Sequence, residues 1–331
     1  MASVRGPSQG DDSTQLVRMD APSEEAEKNP LQLQSHGRFP YIGIVERPHG
    51  TWAQGRRLAV YVAVNLEHFT FGSGLGAQLV PAAAGAPDVL NWAWREWGNR
   101  VGAWRLLSLL DDLNLPVAAL ANAALVEHAP QLLRAYAAHR PGCEMVGHGI
   151  SNSERQGDAW APSDEAAMLQ TCATALAPFS PSGARPKGWL SPWIAESKAT
   201  VDLLAEAGYS YTLNWCHDDS PTWLATRAGR LLAVPYPQDG LNDIPAIAVR
   251  HESPAQFADA IIDAFDVMRA QAAQPHGPPL VMGIALHPYI CAQPHRLGHL
   301  ERALKHIAQS GDPAVWLCTP GQVAAHVALG G

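Results

Sequence analysis

Residues 57–64 read RLAVYVAV, and residues 279–286 read PLVMGIAL. Both are short, apolar and β-branched, and they read as buried strands. Working outward from them, strand-like and helical stretches alternate. Strands are predicted at PVAAL (116–120), CEMVG (143–147), KGWL (187–190), YSYTL (209–213), LLAVP (231–235) and VWLC (315–318). Helices are predicted over 98–112, 129–139, 196–207, 253–272, 295–308 and 321–328, and a further one starts at Ser163 as N-cap, with Asp164 and Glu165 in its first turn. Pro254 sits at the first helical position after Ser253, and Gly208 ends the 196–207 helix. This alternation argues for a parallel sheet covered by helices, and seven or eight strands favour a barrel over an open sheet. No GxGxxG or GxxxxGK[ST] follows any strand, which removes the usual reason to expect a nucleotide-binding sheet.

Composition narrows the function classes. The 331 residues are 47% hydrophobic and 16% charged, so most of the chain lacks the signature of disorder. The net charge of −8 gives no electrostatic footprint for a nucleic-acid backbone or an anionic membrane. Five scattered cysteines with no CxxC argue against a disulfide scaffold or zinc knuckle and fit a reducing compartment. No apolar run reaches the roughly 18 residues of a membrane span. The first residues, MASVRGPSQGDDSTQ, contain no apolar signal-peptide core, and the protein reads as cytoplasmic. Residues 1–36 are polar and aperiodic and read as a flexible leader. Residues 37–331 read as a single catalytic domain, with VPAAAGAP (80–87) as a surface loop near its mouth.

In a parallel barrel the active site forms at the carboxyl ends of the strands. Here those ends carry Asn65-Leu66-Glu67-His68, His148-Gly149-Ile150-Ser151-Asn152, Ser191-Pro192-Trp193, Asn214 to Asp219 and His287-Pro288. Any one of these positions is equally well explained as a cap or turn. Five together, with the side chains that hydrolysis needs, favour one cleft for a small-molecule substrate. Trp189, Trp193, Trp215 and Trp223 are candidate walls for a planar ring, or packing beneath the loops. Asp218 and Asp219 are candidate ligands for ring N–H groups, or a solvated turn. The aromatic stretch 92–104 is a candidate self-association surface for a homo-oligomer.

Six segments then carry a resemblance: NLEHF (65–69), WGNRVGAWRLL (97–107), EMVGHGISNSERQ (144–156), RPKGWLSPWIAES (185–197), WCHDDSPTW (215–223) and LHPYICAQPHR (286–296). In order and spacing the chain resembles the polysaccharide deacetylase (NodB-homology) family over roughly residues 38–328. It looks closer to the metal-independent allantoinase and cyclic-imide hydrolase branch than to chitin or peptidoglycan deacetylases. The resemblance implies an irregular parallel (β/α)7-8 barrel and hydrolysis of non-peptide carbon–nitrogen bonds. Metal-dependent members pair two aspartates after the first strand with a His-x3-His motif. Those positions match Glu67 (base), His68 (ligand), His148 (ligand) and Asn152 (ligand). The late histidine matches His287, and the base-orienting arginine matches Arg185, for which a salt bridge is an equally simple explanation.

Two of three ligand positions therefore depart from the family pattern, and neutral Asn152 is a poor zinc ligand. The sequence reading is that no metal is required, with zinc on His68 and His148 as the alternative. A cyclic imide or ureide suits such a site, because its nitrogen leaves as a delocalised anion. In that reading Glu67 activates water, His148 and Asn152 hold the oxyanion, and His287 protonates the leaving nitrogen. Asn152, Trp189, Ser191, Trp193, Trp215, Asp218, Asp219 and Trp223 are the candidate substrate contacts. The competing readings are a metal-dependent N-deacetylase of an amino sugar and a non-catalytic ligand-binding barrel. Glycoside hydrolysis is more remote, since only Glu67 with Asp218 or Asp219 offers a carboxylate pair.

Overall fold

The structure is a computed structural model that describes residues 33–47, 49–73, 87–180, 183–274 and 277–330. Most of the predicted leader and residues 80–86 of the predicted mouth loop lie outside the described residues. The fold below is that of the unit Gly37–Gly331. In chain order its elements are β1 (Leu58–Leu66), α1 (Val89–Trp97), α2 (Ala103–Asp112), β2 (Val117–Ala121), α3 (Leu125–His128), α4 (Pro130–Ala137), β3 (Cys143–Gly147), α5 (Pro162–Leu176), β4 (Gly188–Trp189), α6 (Thr200–Glu206) and β5 (Tyr211–Thr212). Then follow β6 (Thr222–Thr226), β7 (Gly229–Ala233), α7 (Pro254–Ala272), β8 (Leu280–Leu286), α8 (Pro288–Cys291), α9 (Pro294–Ala308), β9 (Val315–Leu317) and α10 (Pro320–Ala328).

The strands form one sheet in the order β6-β7-β5-β4-β3-β2-β1-β8, and only the β6–β7 hairpin is antiparallel. One edge of β1 is taken by β8, from Leu58↔Leu280 to Val64↔Leu286. Its other edge is shared by β2, from Val62↔Val117, and by β9, over Leu58–Val60. All nine residues of β1 are buried, which explains its apolar run from Leu58 to Val64. Leu58, Val60, Val62, Val64 and Leu66 pack outward against residues of α2, α7 and α9. Ala59, Tyr61 and Ala63 belong to a second, inner cluster with Leu120, Val146, Leu190, Tyr211, Leu232 and Val281. Burying each Val or Leu side chain contributes roughly 1.5–3 kcal/mol.

The barrel is irregular, as expected, and its ladder does not close. Between β7 and β8 the chain runs through Pro235 and Pro237, which have no N–H to donate to a ladder. Across this seam the Tyr61 hydroxyl donates to the Pro235 carbonyl (2.5 Å), and Ala285 N–H donates to the Leu241 carbonyl (2.9 Å).

Local structure differs from expectation in three places. The helix predicted over 98–112 is a π turn at Gly98–Gly102 followed by α2, and α1 precedes it without a break. The aromatic run 92–97 thus belongs to a helix that Asp88 caps, accepting from Asn91 N–H (3.0 Å). The helix predicted to start on Ser163 starts instead on Pro162, after an Ala161 N-cap with no side-chain bond. The hairpin strand β6 was not predicted at all. α7 matches its predicted span, with a capping box between Ser253 and Gln256.

Gly102, at the end of the π turn, is a close approach. A Cβ there would overlap the Pro288 carbonyl oxygen, immediately after His287. Gly102→Ala is therefore expected to destabilise the fold by about 1–3 kcal/mol. Gly157→Ala, where nothing lies within 4 Å of a Cβ, should have a far smaller effect. Urea midpoints at unchanged slope test the comparison.

Candidate active site

Glu67 lies just past β1, 6% exposed, at the end of a strand that the core holds rigid. Asparagines fix the surrounding backbone. Asn99, in the π turn, donates to the Glu67 carbonyl (2.8 Å). Asn122, just past β2, accepts from His68 N–H (2.7 Å) and donates to the His148 carbonyl and to Asn152 Oδ1 (2.9 Å). That last bond sets the Asn152 amide so that its Nδ2 donates to Glu67 Oε1 (2.6 Å).

Two imidazoles flank the same carboxylate oxygen. His148 Nε2 lies 3.5 Å from Glu67 Oε1, and His287 Nε2 lies 3.6 Å from it. His148 Nδ1–H donates to the Leu190 carbonyl (2.7 Å), which fixes its ring. His287 is gripped by fully buried Asp243. Its Nδ1–H donates to Asp243 Oδ1 (2.6 Å) and its backbone N–H to Oδ2 (2.8 Å). Burial alone would lower the His287 pKa, but the Asp243 and Glu67 carboxylates outweigh it and raise the pKa above the ordinary imidazole value. Burial would likewise raise the Glu67 pKa, but His287, His148 and Arg95 outweigh it and hold the carboxyl below its ordinary value. The two shifts run in opposite directions, so the site favours an ionised carboxylate at Glu67 and a proton on His287 more than either group would alone.

These groups face a cavity of about 280 Å³ lined also by Phe69, Trp193, Ile194, Tyr236 and Tyr289. Glu67 Oε2, His148 Nε2 and the Tyr289 hydroxyl are buried there without a hydrogen-bond partner. Buried polar atoms in folded proteins are nearly always paired. Three orphans facing one cavity mark where a polar ligand belongs.

The family's metal site does not fit these residues. Asn152 presents its N–H group, not a lone pair, to Glu67. The His68 ring stacks on His128 (centroids 4.0 Å apart) instead of joining His148. His148 and His287 flank Glu67, but these three do not bring donor atoms within 4.8 Å of one another.

No family model matches the chain. A Schizosaccharomyces pombe protein named "Putative polysaccharide deacetylase" is 28% identical over 243 residues, covering 69% of this chain and 73% of that protein. The solved structure of a "probable Polysaccharide deacetylase" from Pseudomonas aeruginosa PAO1 is 26% identical, with a TM-score of 0.70 over 85% of this chain and 94% of that one. This chain is similar to polysaccharide deacetylases in both sequence and fold. The structure titled "Puue Allantoinase" shares the fold, with a TM-score of 0.72 at 24% identity over 87% of this chain and 97% of that one.

Within this deacetylase-like barrel, Glu67, His148, Asn152, Trp193 and His287 converge on the cavity. Arg185 does not. It precedes β4 and so sits at the amino end of the sheet, where it donates to Gln170 (2.7 Å) and Thr174 (2.8 Å) of α5. Trp189 is also outside the cavity, because strand alternation sends Leu190 to the inner cluster and Trp189 to the opposite face, into a third cluster with Leu169 and Cys172 of α5 and Leu204 of α6. Its indole N–H donates to Ser191, which is spent on Trp189 and Asn214. Trp215 donates to Glu196, and Trp223 stacks on Arg230 in the β6–β7 hairpin. Asp218 pairs with Arg47, and it and Asp219 line a neighbouring cavity of about 600 Å³. Sequence reasoning missed Asp243, Tyr289 and Arg95. Arg95 is buried among the rings of Phe69, Trp94 and Tyr289. Arg95 lay inside the quoted aromatic run, and Tyr289 inside the quoted LHPYICAQPHR. Asp243 gave no local signal.

Asp243→Asn removes the anion that lifts His287. The His287 ring is then expected to titrate at lower pH than in the wild type, by NMR of the labelled imidazole.

Proposed function

We propose that this protein hydrolyses a carbon–nitrogen bond in a small cyclic amide, imide or ureide, with Glu67 as general base. The observation that supports this most directly is the trio of unpartnered polar atoms on Glu67, His148 and Tyr289 around one small cavity. Binding sites for small molecules span roughly 300–1,000 Å³, so about 280 Å³ suits a single ring. An extended glycan would require an open groove.

Glu67, ionised and oriented by Asn152, takes a proton from water held at Oε2. The hydroxide adds to the ring carbonyl. The Tyr289 hydroxyl, whose pKa burial pushes far above its ordinary value, stays a donor and holds the developing oxyanion. His148 offers Nε2 to the same space. His287, whose proton affinity Asp243 raises, delivers a proton from Nε2 to the departing nitrogen. Asn152 positions the base through one of its two amide N–H groups. The nitrogen of an imide or ureide leaves with its charge spread onto an adjacent carbonyl, so the residues present can suffice. The N-deacetylase alternative lacks its second carboxylate, and His68 does not face the cavity.

Hydrolysis of a panel of cyclic imides, hydantoins and ureides tests the reading. Glu67→Gln should lower kcat by at least ~100-fold with KM little changed. Near-full activity in that variant would remove Glu67 from the chemistry. Thermal shifts without turnover across the panel would point to a binding protein.

The pH–rate profile should be bell-shaped. Activity rises as Glu67 loses its proton, below the ordinary carboxylate pKa, and falls as His287 loses its own, above the ordinary imidazole pKa. In Asp243→Asn the alkaline limb should move to lower pH.

A further inference from the structure

A second cluster of titratable side chains is not used by the mechanism. His68 follows β1, Glu96 lies in the last turn of α1, and His128 ends α3. Their donor atoms all lie within 4.8 Å of one another, and no other His, Cys, Asp or Glu group among the described residues meets that condition. The two imidazoles stack at 4.0 Å, with 29° between planes. Glu96 Oε2 lies 2.9 Å from His128 Nε2, and the two side chains are 14% and 33% exposed.

We propose that His68, Glu96 and His128 form a divalent metal site, with zinc as the best-matched ion, separate from the catalytic cavity. The donor set is two imidazoles and one carboxylate, which is a zinc set. Zinc holds such donors at about 2.0–2.2 Å, so tetrahedral ligand atoms sit roughly 3.3 Å apart. The Glu96–His128 pair is at 2.9 Å and all three donor atoms lie within 4.8 Å of one another, so small side-chain rotations of these partly exposed groups would bring them to that spacing. Glu96 and His128 open on a cavity of about 210 Å³ that Arg100 also lines, leaving the fourth position for water or a small anion.

The three ligands come from three elements, which gives the ion a structural role. His68 is the residue after the base, and its backbone N–H is held by Asn122, the residue that orients Asn152. Glu96 adjoins Arg95, which lowers the Glu67 pKa. A metal here ties α1 to the β1 and β2 rims. This proposal does not depend on the catalytic reading.

The test uses the full chain after exhaustive chelation. Zinc titration by calorimetry should give one site per chain and raise Tm, and cobalt(II) should give the visible absorption of a tetrahedral ion. His128→Ala and Glu96→Gln should each weaken binding at least ~10-fold while keeping the metal-free Tm and circular dichroism. Glu67→Gln should bind zinc like the wild type. No stoichiometric binding at micromolar zinc would overturn the proposal. So would binding that survives both His128→Ala and Glu96→Gln, or binding lost in Glu67→Gln, which would place the ion in the catalytic cavity.

Discussion

A carboxylate removed from water must be paired or it takes up a proton. Glu67 is such a group, and much of the molecule is arranged to keep it charged. Two imidazoles flank one oxygen, an amide donates to it, and a buried guanidinium lies close by. Those partners are themselves buried and are held in turn. Asp243 grips His287 at two points, Leu190 fixes His148, and Asn122 turns Asn152. Removing one member of such a network leaves a charge or dipole stranded, so its parts should act together and not additively.

The same arrangement separates two proton affinities in opposite directions. An acid and a base of nearly matched strength side by side would simply exchange a proton and neutralise. Here Asp243 supplies the bias, making His287 the proton holder and leaving Glu67 free to accept one. The metal-dependent pattern of the resembled family uses a cation to the same end. In this chain the ligand positions have become Asn152, which orients the base, and His68, which turns toward α1 and α3.

The parts legible in the sequence were those set by local rules. β1, β8 and α7 announce themselves through unbroken apolar runs and a Ser-Pro cap. Glu67, His148 and His287 stand out because they follow strands, where a parallel barrel places its chemistry, and the structure brings them to one cavity. The failures have physical causes. Arg185 belongs to the wrong end of its strand, and Trp189 to the wrong face. Asp243 follows two prolines in a stretch with no strand, so nothing local says that it returns to the site. β4 and β5 are only two residues each, and the gap after β7 arises from those same prolines.

The π turn at Gly98–Gly102 has a further consequence. It holds one residue more per turn than the α-helices on either side, so α1 runs about 100° out of phase with an uninterrupted continuation of α2. That offset helps aim Arg95 at the base, while Asn99 within the turn clasps the Glu67 carbonyl. The chain's arithmetic here therefore matters as much as its chemistry. A natural or engineered homologue shortened by one position in this turn would rotate Arg95 away from the base and weaken the charge balance around Glu67, with every residue that lines the cavity unchanged.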